Sequence, residues 1–191
     1  MELQGERLIP ASVDKTWASL NDPDVLKACI AGCESLERTG EDSLTAVVAL
    51  KVGPVSARFK GNLKMTNVQP PSGYTINFDG QGGVAGFGKG SADVALTAEG
   101  ASTRLKYNAR AQVGGKMAQV GSRLIDAAAG KITEDFFKAF EAHLQASAAP
   151  AGAEPAAAAV VTDPSSAAGL TKLWWLIGGV VLLAILYFLI R

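Results

Sequence analysis

The sequence predicts an α+β fold: a curved antiparallel sheet of six to seven strands wrapped around one long C-terminal helix, with a single transmembrane helix after it. Three observations predict it. Residues 44–113 fall into runs in which apolar and polar residues alternate, the period of a strand with one buried face. Residues 116–145 switch to apolar spacings of three and four, the stripe of an amphipathic helix. Residues 173–190, LWWLIGGVVLLAILYFLI, are eighteen residues without a charge, enough to cross a bilayer.

The elements follow in chain order. Glu2 to Ile9 reads as a first strand. Two short helices come next, Val13 to Leu20 and Asp22 to about Ala31, the second opened by Asp22 as cap and Pro23 at the first helical position. A five-strand meander follows. Leu44, Ala46, Val48, Leu50 and Val52 share one face of its first strand. In the second, Val55, Ala57, Phe59, Gly61, Leu63 and Met65 alternate with Ser56, Arg58, Lys60, Asn62, Lys64 and Thr66. Tyr74, Ile76 and Phe78 mark the third. The fourth, Gly88 to Ala98, turns Gly90, Ala92, Val94 and Leu96 inward. The fifth does the same with Leu105, Tyr107, Ala109, Ala111 and Val113. Gly53-Pro54, Pro70-Pro71-Ser72-Gly73, the loop from Gln81 to Gly86 and Glu99-Gly100-Ala101 are the turns between them. The last helix carries Met117, Val120, Leu124, Ala128, Ile132, Phe136, Phe140 and Leu144 as one stripe. The globular domain thus occupies residues 1–145.

Residues 146–171 are rich in Ala, with Pro150, Pro155 and Pro164 interrupting any helix, and are expected to form a flexible linker. A random coil of these 26 residues spans roughly 28 Å on average. Residues 172–191 are the expected anchor. As a helix the apolar stretch is about 27 Å long, close to the ~30 Å hydrocarbon core. Trp174, Trp175 and Tyr187 stand near its ends, where their rings favour the headgroup layer. The opening residues have no apolar core behind a basic start, so no signal peptide is expected. The domain is therefore expected on the cytoplasmic side of the membrane, with free thiols.

Composition excludes several functions. The net charge is zero, which argues against nucleic-acid binding. There are two cysteines and one histidine, too few for a metal site of about four ligands. Cys29 and Cys33, four apart, are expected to share a helix end as free thiols. His143 stands near the end of the last helix with no nucleophile around it and reads as a surface residue. The glycine-rich run Gly82 to Gly90 resembles a phosphate loop in composition only, because a strand rather than a helix follows it. Tyr74 and Tyr107 are the obvious titratable groups on the inner face, so a cyclase-like enzyme is the weakest reading.

Small residues are the positive signal. Ala46, Ala57, Gly61, Gly80, Gly88, Gly90, Ala92, Ala109 and Ala111 all face the helix, which answers with Gly121, Ala127 and Ala128. Either helix and sheet touch closely or a cavity remains between them. Phe136 and Phe140 fill the far end. The near end has only Met117, Val120, Gly121, Leu124 and Ile125, which favours a cavity there. In a meander alternate turns share an end, so Gly53-Pro54 and the loop Gln81 to Gly86 border its mouth.

The order of elements resembles the helix-grip domain of the START and polyketide-cyclase superfamily (SRPBCC). More narrowly, residues 1–145 resemble the CoxG family of carbon monoxide dehydrogenase accessory proteins. The resemblance rests on Met1-Glu2-Leu3, Trp17 to Pro23, Cys29 to Glu34, Lys51-Val52-Gly53-Pro54-Val55, Phe59-Lys60-Gly61 and Gly86 to Gly90. It implies an accessory protein that recruits a molybdenum-containing CO dehydrogenase, or a related molybdenum hydroxylase, to the membrane. It also implies handling of a respiratory quinone, menaquinone or ubiquinone, with redox chemistry left to the partner. Pocket and mouth would then be lined by Val52, Val55, Ala57, Phe59, Phe78, Val84, Phe87, Gly88, Gly90, Ala92, Tyr107, Ala109, Met117, Val120, Gly121, Leu124 and Ile125. Gly90→Phe or Ala92→Phe would be the substitution that fills it. A lipid carrier without a dehydrogenase partner and a pure membrane tether are the alternatives.

Overall fold

The alternation of residues 44–113 becomes one seven-stranded antiparallel sheet in a computed structural model that describes residues 1–147. The strands are β1 Glu2–Ile9, β2 Cys33–Gly40, β3 Ser43–Val52, β4 Val55–Gln69, β5 Gly73–Gln81, β6 Phe87–Glu99 and β7 Ser102–Gly114. Their order is β1-β7-β6-β5-β4-β3-β2, so a meander from β2 to β7 ends beside the first strand. β2 is the strand with no alternation to announce it: in CESLERTG only Leu36 is fully buried. The predicted linker beyond residue 147 and the predicted anchor lie outside the described residues. Among the described residues no helix is long and apolar enough to cross a membrane.

Two short helices, α1 Val13–Leu20 and α2 Pro23–Cys29, connect β1 to β2. Both starts are capped as their sequences require. Ser12 Oγ accepts from Lys15 N at 3.4 Å, and Asp22 Oδ1 accepts from Asp24 N at 2.9 Å with Pro23 behind it. Helix α2 stops at Cys29, and Cys33 opens β2. The two cysteines therefore do not share a helix face as expected. Gly32 stands between them at φ +77° and reverses the chain.

The long C-terminal helix is broken. A single turn, α3 Lys116–Gln119, is followed by α4 Ser122–Ala146. Gly121 sits at the break with φ +97°, a conformation L side chains rarely adopt. The break resets the helical phase. Leu124, expected in the stripe, is 51% exposed, while its neighbour Ile125 turns inward. Further along, Phe137 rather than Phe136 takes the fully buried place, with Phe136 half-buried beside it.

Large side chains fill one end of the domain. Phe137, Phe140 and Leu144 of α4 pack with Leu20 of α1, Ile9 of β1, Leu96 of β6 and Leu105 of β7. Phe136 stacks on Phe140 with ring centroids 5.7 Å apart, and Tyr107 lies 5.5 Å from Phe137. A second cluster of Leu36, Leu44, Ala46, Met65 and Tyr74 lies beneath Trp17, which meets Tyr74 edge-on. The buried hydroxyls are satisfied: Thr16 donates to Thr103, and Thr103 to Ala11 O at 2.8 Å. Arg7, on the inner side of β1, pairs with Glu134 of α4 and lies over the Phe137 ring. This ion pair adds charged groups to an inner face on which only tyrosines were expected.

Candidate ligand cavity

Pairing register decides what faces the first half of α4. Gly61 of β4 is directly opposite Gly80 of β5, and Gly80 is opposite Gly88 of β6. Ala46 of β3 extends the row on one side and Val113 of β7 on the other. Three adjacent strands thus present no side chain along a line that crosses beneath α4. Above them α4 offers Ile125, Ala128, Ala129 and Ile132. Small residues on both layers leave a cavity of about 280 Å³, because close packing fails where neither side supplies volume.

The cavity is apolar. Leu50, Val52 and Leu63 line its sheet side with Phe59, Phe78 and Phe87; Met117 of α3 closes it near the break. Asn62 and Asp79 border it by position, but their side chains bond each other on the opposite face of the sheet. The three phenylalanines share a local device. A Cβ on Gly82 would stand 2.6 Å from the Phe59 ring, and one on Gly90 would stand 2.8 Å from the Phe78 ring. Phe87 lies in the same way across Gly114, its cross-strand partner. A nearby glycine lets each ring lie along the sheet.

Of the residues expected from sequence, Val52, Phe59, Phe78, Phe87, Gly88, Met117 and Ile125 line this cavity. The others do not. Val55 and Ala57 are half-buried at the start of β4, outside the lining. Gly90 is covered by Phe78. Ala92 and Ala109 face each other one layer deeper, and Tyr107 packs on Phe137 in the filled end. Val120 and Leu124 lie over the Gly53 turn, 3.4 and 3.7 Å from where a Cβ there would stand. Gly121 occupies the break, and Val84 is 86% exposed in the 3-10 turn Gly83–Ala85. Leu50, Leu63, Val113, Ala129 and Ile132 line the cavity without having been expected; Gly61, Gly80 and Ala128 stood out only as small. The two-residue Gly53-Pro54 turn was the available signal for the sheet side, since it pairs Leu50 with Ala57 and Ala46 with Gly61.

The turns named as the mouth do meet at this end. The Gly53 turn touches the α3–α4 break, and Gly86 after the 3-10 turn backs onto Gly114 and Gly115. No group of three or more His, Cys, Asp or Glu able to hold a metal occurs among the described residues. Burial pushes the Cys29 and Cys33 thiols up, with Lys27 opposing this weakly at Cys33. Both are therefore neutral thiols at physiological pH and poor nucleophiles.

Comparison with known proteins agrees with this architecture. A conserved protein from Geobacillus kaustophilus is 32% identical, with a TM-score of 0.72 over 77% of this chain and 97% of that one. A START superfamily protein from Mycobacterium smegmatis is 15% identical, with a TM-score of 0.59 over 76% of this chain and 97% of that one. The Zhui aromatase/cyclase from Streptomyces sp. R1128 shares the fold at 12% identity and a TM-score of 0.54, over 76% and 93% of the two chains. No curated protein matches the sequence. The Geobacillus protein consists almost wholly of the matched region, and both core clusters here form within residues 1–147, so the domain is a folding unit by itself. The family model for CoxG, of carbon monoxide dehydrogenase, matches residues 5–145; the chain belongs to that family.

Proposed function

We propose that this protein holds a respiratory quinone, menaquinone or ubiquinone, in the cavity beneath α4 and docks a molybdenum-containing CO dehydrogenase at the cytoplasmic membrane. The observation that carries the proposal is the cavity itself: about 280 Å³, lined by Phe, Leu, Val and Gly, with no ionisable side chain directed into it. An engineered apolar cavity of about 150 Å³ admits one benzene ring. The space here suits a ring head of roughly twice that size, with an isoprenoid tail leaving through the mouth. Burial of such a guest gains about 25 cal/mol per Å² removed from water. The family description supplies the partner, and the eighteen-residue apolar stretch at 173–190 supplies the membrane.

The test is the solvent extract of the purified protein. Mass spectrometry is expected to find a quinone in near-stoichiometric amount. Gly88→Leu is expected to displace it, because a Cβ at Gly88 meets nothing within 4 Å and the side chain enters the cavity. Gly90→Phe is not a usable probe, since a Cβ there runs into the Arg110 carbonyl oxygen. A wild-type extract with no apolar compound would defeat the ligand reading and leave a tether. A ligand-loaded protein that captures no molybdenum enzyme would instead favour the free carrier. Deleting residues 173–191 is expected to move the protein from the membrane to the soluble fraction; recovery in the pellet without a partner would show the anchor to be misplaced.

A further inference from the structure

We infer that the cavity end of the domain is a docking face for a lipid bilayer carrying anionic headgroups. This rests on the ligand reading above, since a lipid-soluble guest enters the cavity from a bilayer. Two independent features define the face, one apolar and one electrostatic.

The apolar feature is a pair of projecting side chains. Val84, 86% exposed, stands in the 3-10 turn, and Leu124, 51% exposed, stands in the first turn of α4. Pro54, also exposed, belongs to the turn that Leu124 covers. Such isolated tips are too few for a packed protein interface of about 800 Å² per partner. They suit insertion into the headgroup boundary of a membrane.

The electrostatic feature is a separation of charge along the long axis. At the cavity end, residues 51–56, 81–87 and 114–124 contain Lys51, Lys116 and Arg123 and no Asp or Glu. None of these three cations has a carboxylate within salt-bridge distance among the described residues. At the opposite end, residues 21–24, 40–43 and 99–102 contain Asp22, Asp24, Glu41, Asp42 and Glu99 and no Lys or Arg. With zero net charge, this arrangement produces little overall attraction to a negative surface but turns the cavity end toward it. Helix α4 leads away from that face for about 37 Å, ending where Leu144 packs among Ile9 and Leu105. Residues 148–171 reach up to ~80 Å when extended, so an anchor at 173–190 and the cavity end can meet the same bilayer.

The test uses the domain of residues 1–147 and vesicles of phosphatidylcholine with or without phosphatidylglycerol. Co-sedimentation is expected only with phosphatidylglycerol present, and salt is expected to reverse it. Each surface cation contributes about fivefold to partitioning onto an anionic membrane. The triple variant Lys51→Gln, Lys116→Gln, Arg123→Gln should therefore bind on the order of a hundredfold more weakly. Val84→Asp with Leu124→Asp should abolish binding, while Glu41→Gln with Asp42→Asn at the opposite end should leave it intact. All these positions are exposed, and thermal melting checks that each variant stays folded. A wild-type domain that binds both vesicle types equally, or neither, overturns the proposal. So does capture by a molybdenum enzyme through the same three cations without vesicle binding. The quinone content of the same preparations is read separately: ligand present without vesicle binding overturns the docking face and leaves the ligand reading standing.

Discussion

The two halves of α4 lie over the same sheet and do opposite things. From Phe136 to Leu144 the helix buries large rings against Ile9, Leu96 and Leu105. From Ile125 to Ile132 it passes over Gly61, Gly80 and Gly88 and leaves about 280 Å³ empty. Backbone architecture does not distinguish the halves, because both are a helix crossing antiparallel strands. Side-chain volume does. Where Phe meets Leu the layers close; where Ala meets Gly they cannot, since the backbones do not approach close enough to compensate. A filled end therefore holds the helix at a fixed height and keeps the other end open. Stability resides at one end, so the other is free to be hollow.

The most forceful way to break this comparison is to truncate matched residues in each half. Phe140→Ala, at a side chain with no exposed surface, is expected to cost about 3–5 kcal/mol. Ile125→Ala, beside the cavity, is expected to cost under about 1.5 kcal/mol because fewer partner atoms are lost. Urea unfolding of the two variants reads the difference, and equal losses would mean that the cavity is not a real gap in the packing.

Two neighbouring glycines sharpen the contrast within one strand. A Cβ at Gly90 would strike the Arg110 carbonyl and the Phe78 ring, so Gly90→Ala is expected to destabilise by about 1–3 kcal/mol. Gly88→Ala meets only open space and is expected to be neutral or to stabilise by about 0.5–1 kcal/mol, through a less flexible unfolded chain. Melting temperatures of the pair should move apart; a similar fall in both would show that the cavity floor is closed in solution.

Alkaline pH gives a further, smaller test of the filled end. Burial alone pushes the Tyr74 phenol far above its ordinary value of 10.0. The folded state then keeps its proton where the unfolded chain would release it. Stability is unaffected by this group below about pH 10 and falls above it, by up to about 1.4 kcal/mol per pH unit. Tyr74→Phe is expected to flatten that part of the curve. An unchanged slope would mean that water reaches Tyr74 and that this end is less dry than its packing implies.

Much of the fold was legible because a strand with one buried face writes its period into the chain. The inward residues of β3 to β7 follow from alternation alone, and Asp22-Pro23 marks the start of α2 for reasons local to those two residues. β2 was not individually legible, since a strand at the sheet edge with a single fully buried residue needs no regular pattern. The cavity was legible as an excess of Gly and Ala, but not residue by residue. Gly90 and Gly88 look alike in sequence; only the Phe78 ring lying across Gly90 makes one a packing contact and the other a gap.

By itself, then, the sequence determined which residues face the helix, that this face carries too little volume at one end, and that an uncharged eighteen-residue stretch follows. Tertiary structure decided the alignment of those residues. A β-bulge in β4 places two residues against one between Thr66–Thr75 and Gln69–Gly73, with Asn67 at φ +51°. Without that extra residue the pairing at the turn would set Gly61 opposite Gln81 instead of Gly80, and the glycine row would not form. The break at Gly121 likewise turned Leu124 outward and Ile125 inward, against the continuous stripe expected from spacing. Both are one-residue changes of phase. Periodicity is blind to them because each adds local geometry without altering the pattern on either side, and only the assembled sheet and helix show which phase closes the core.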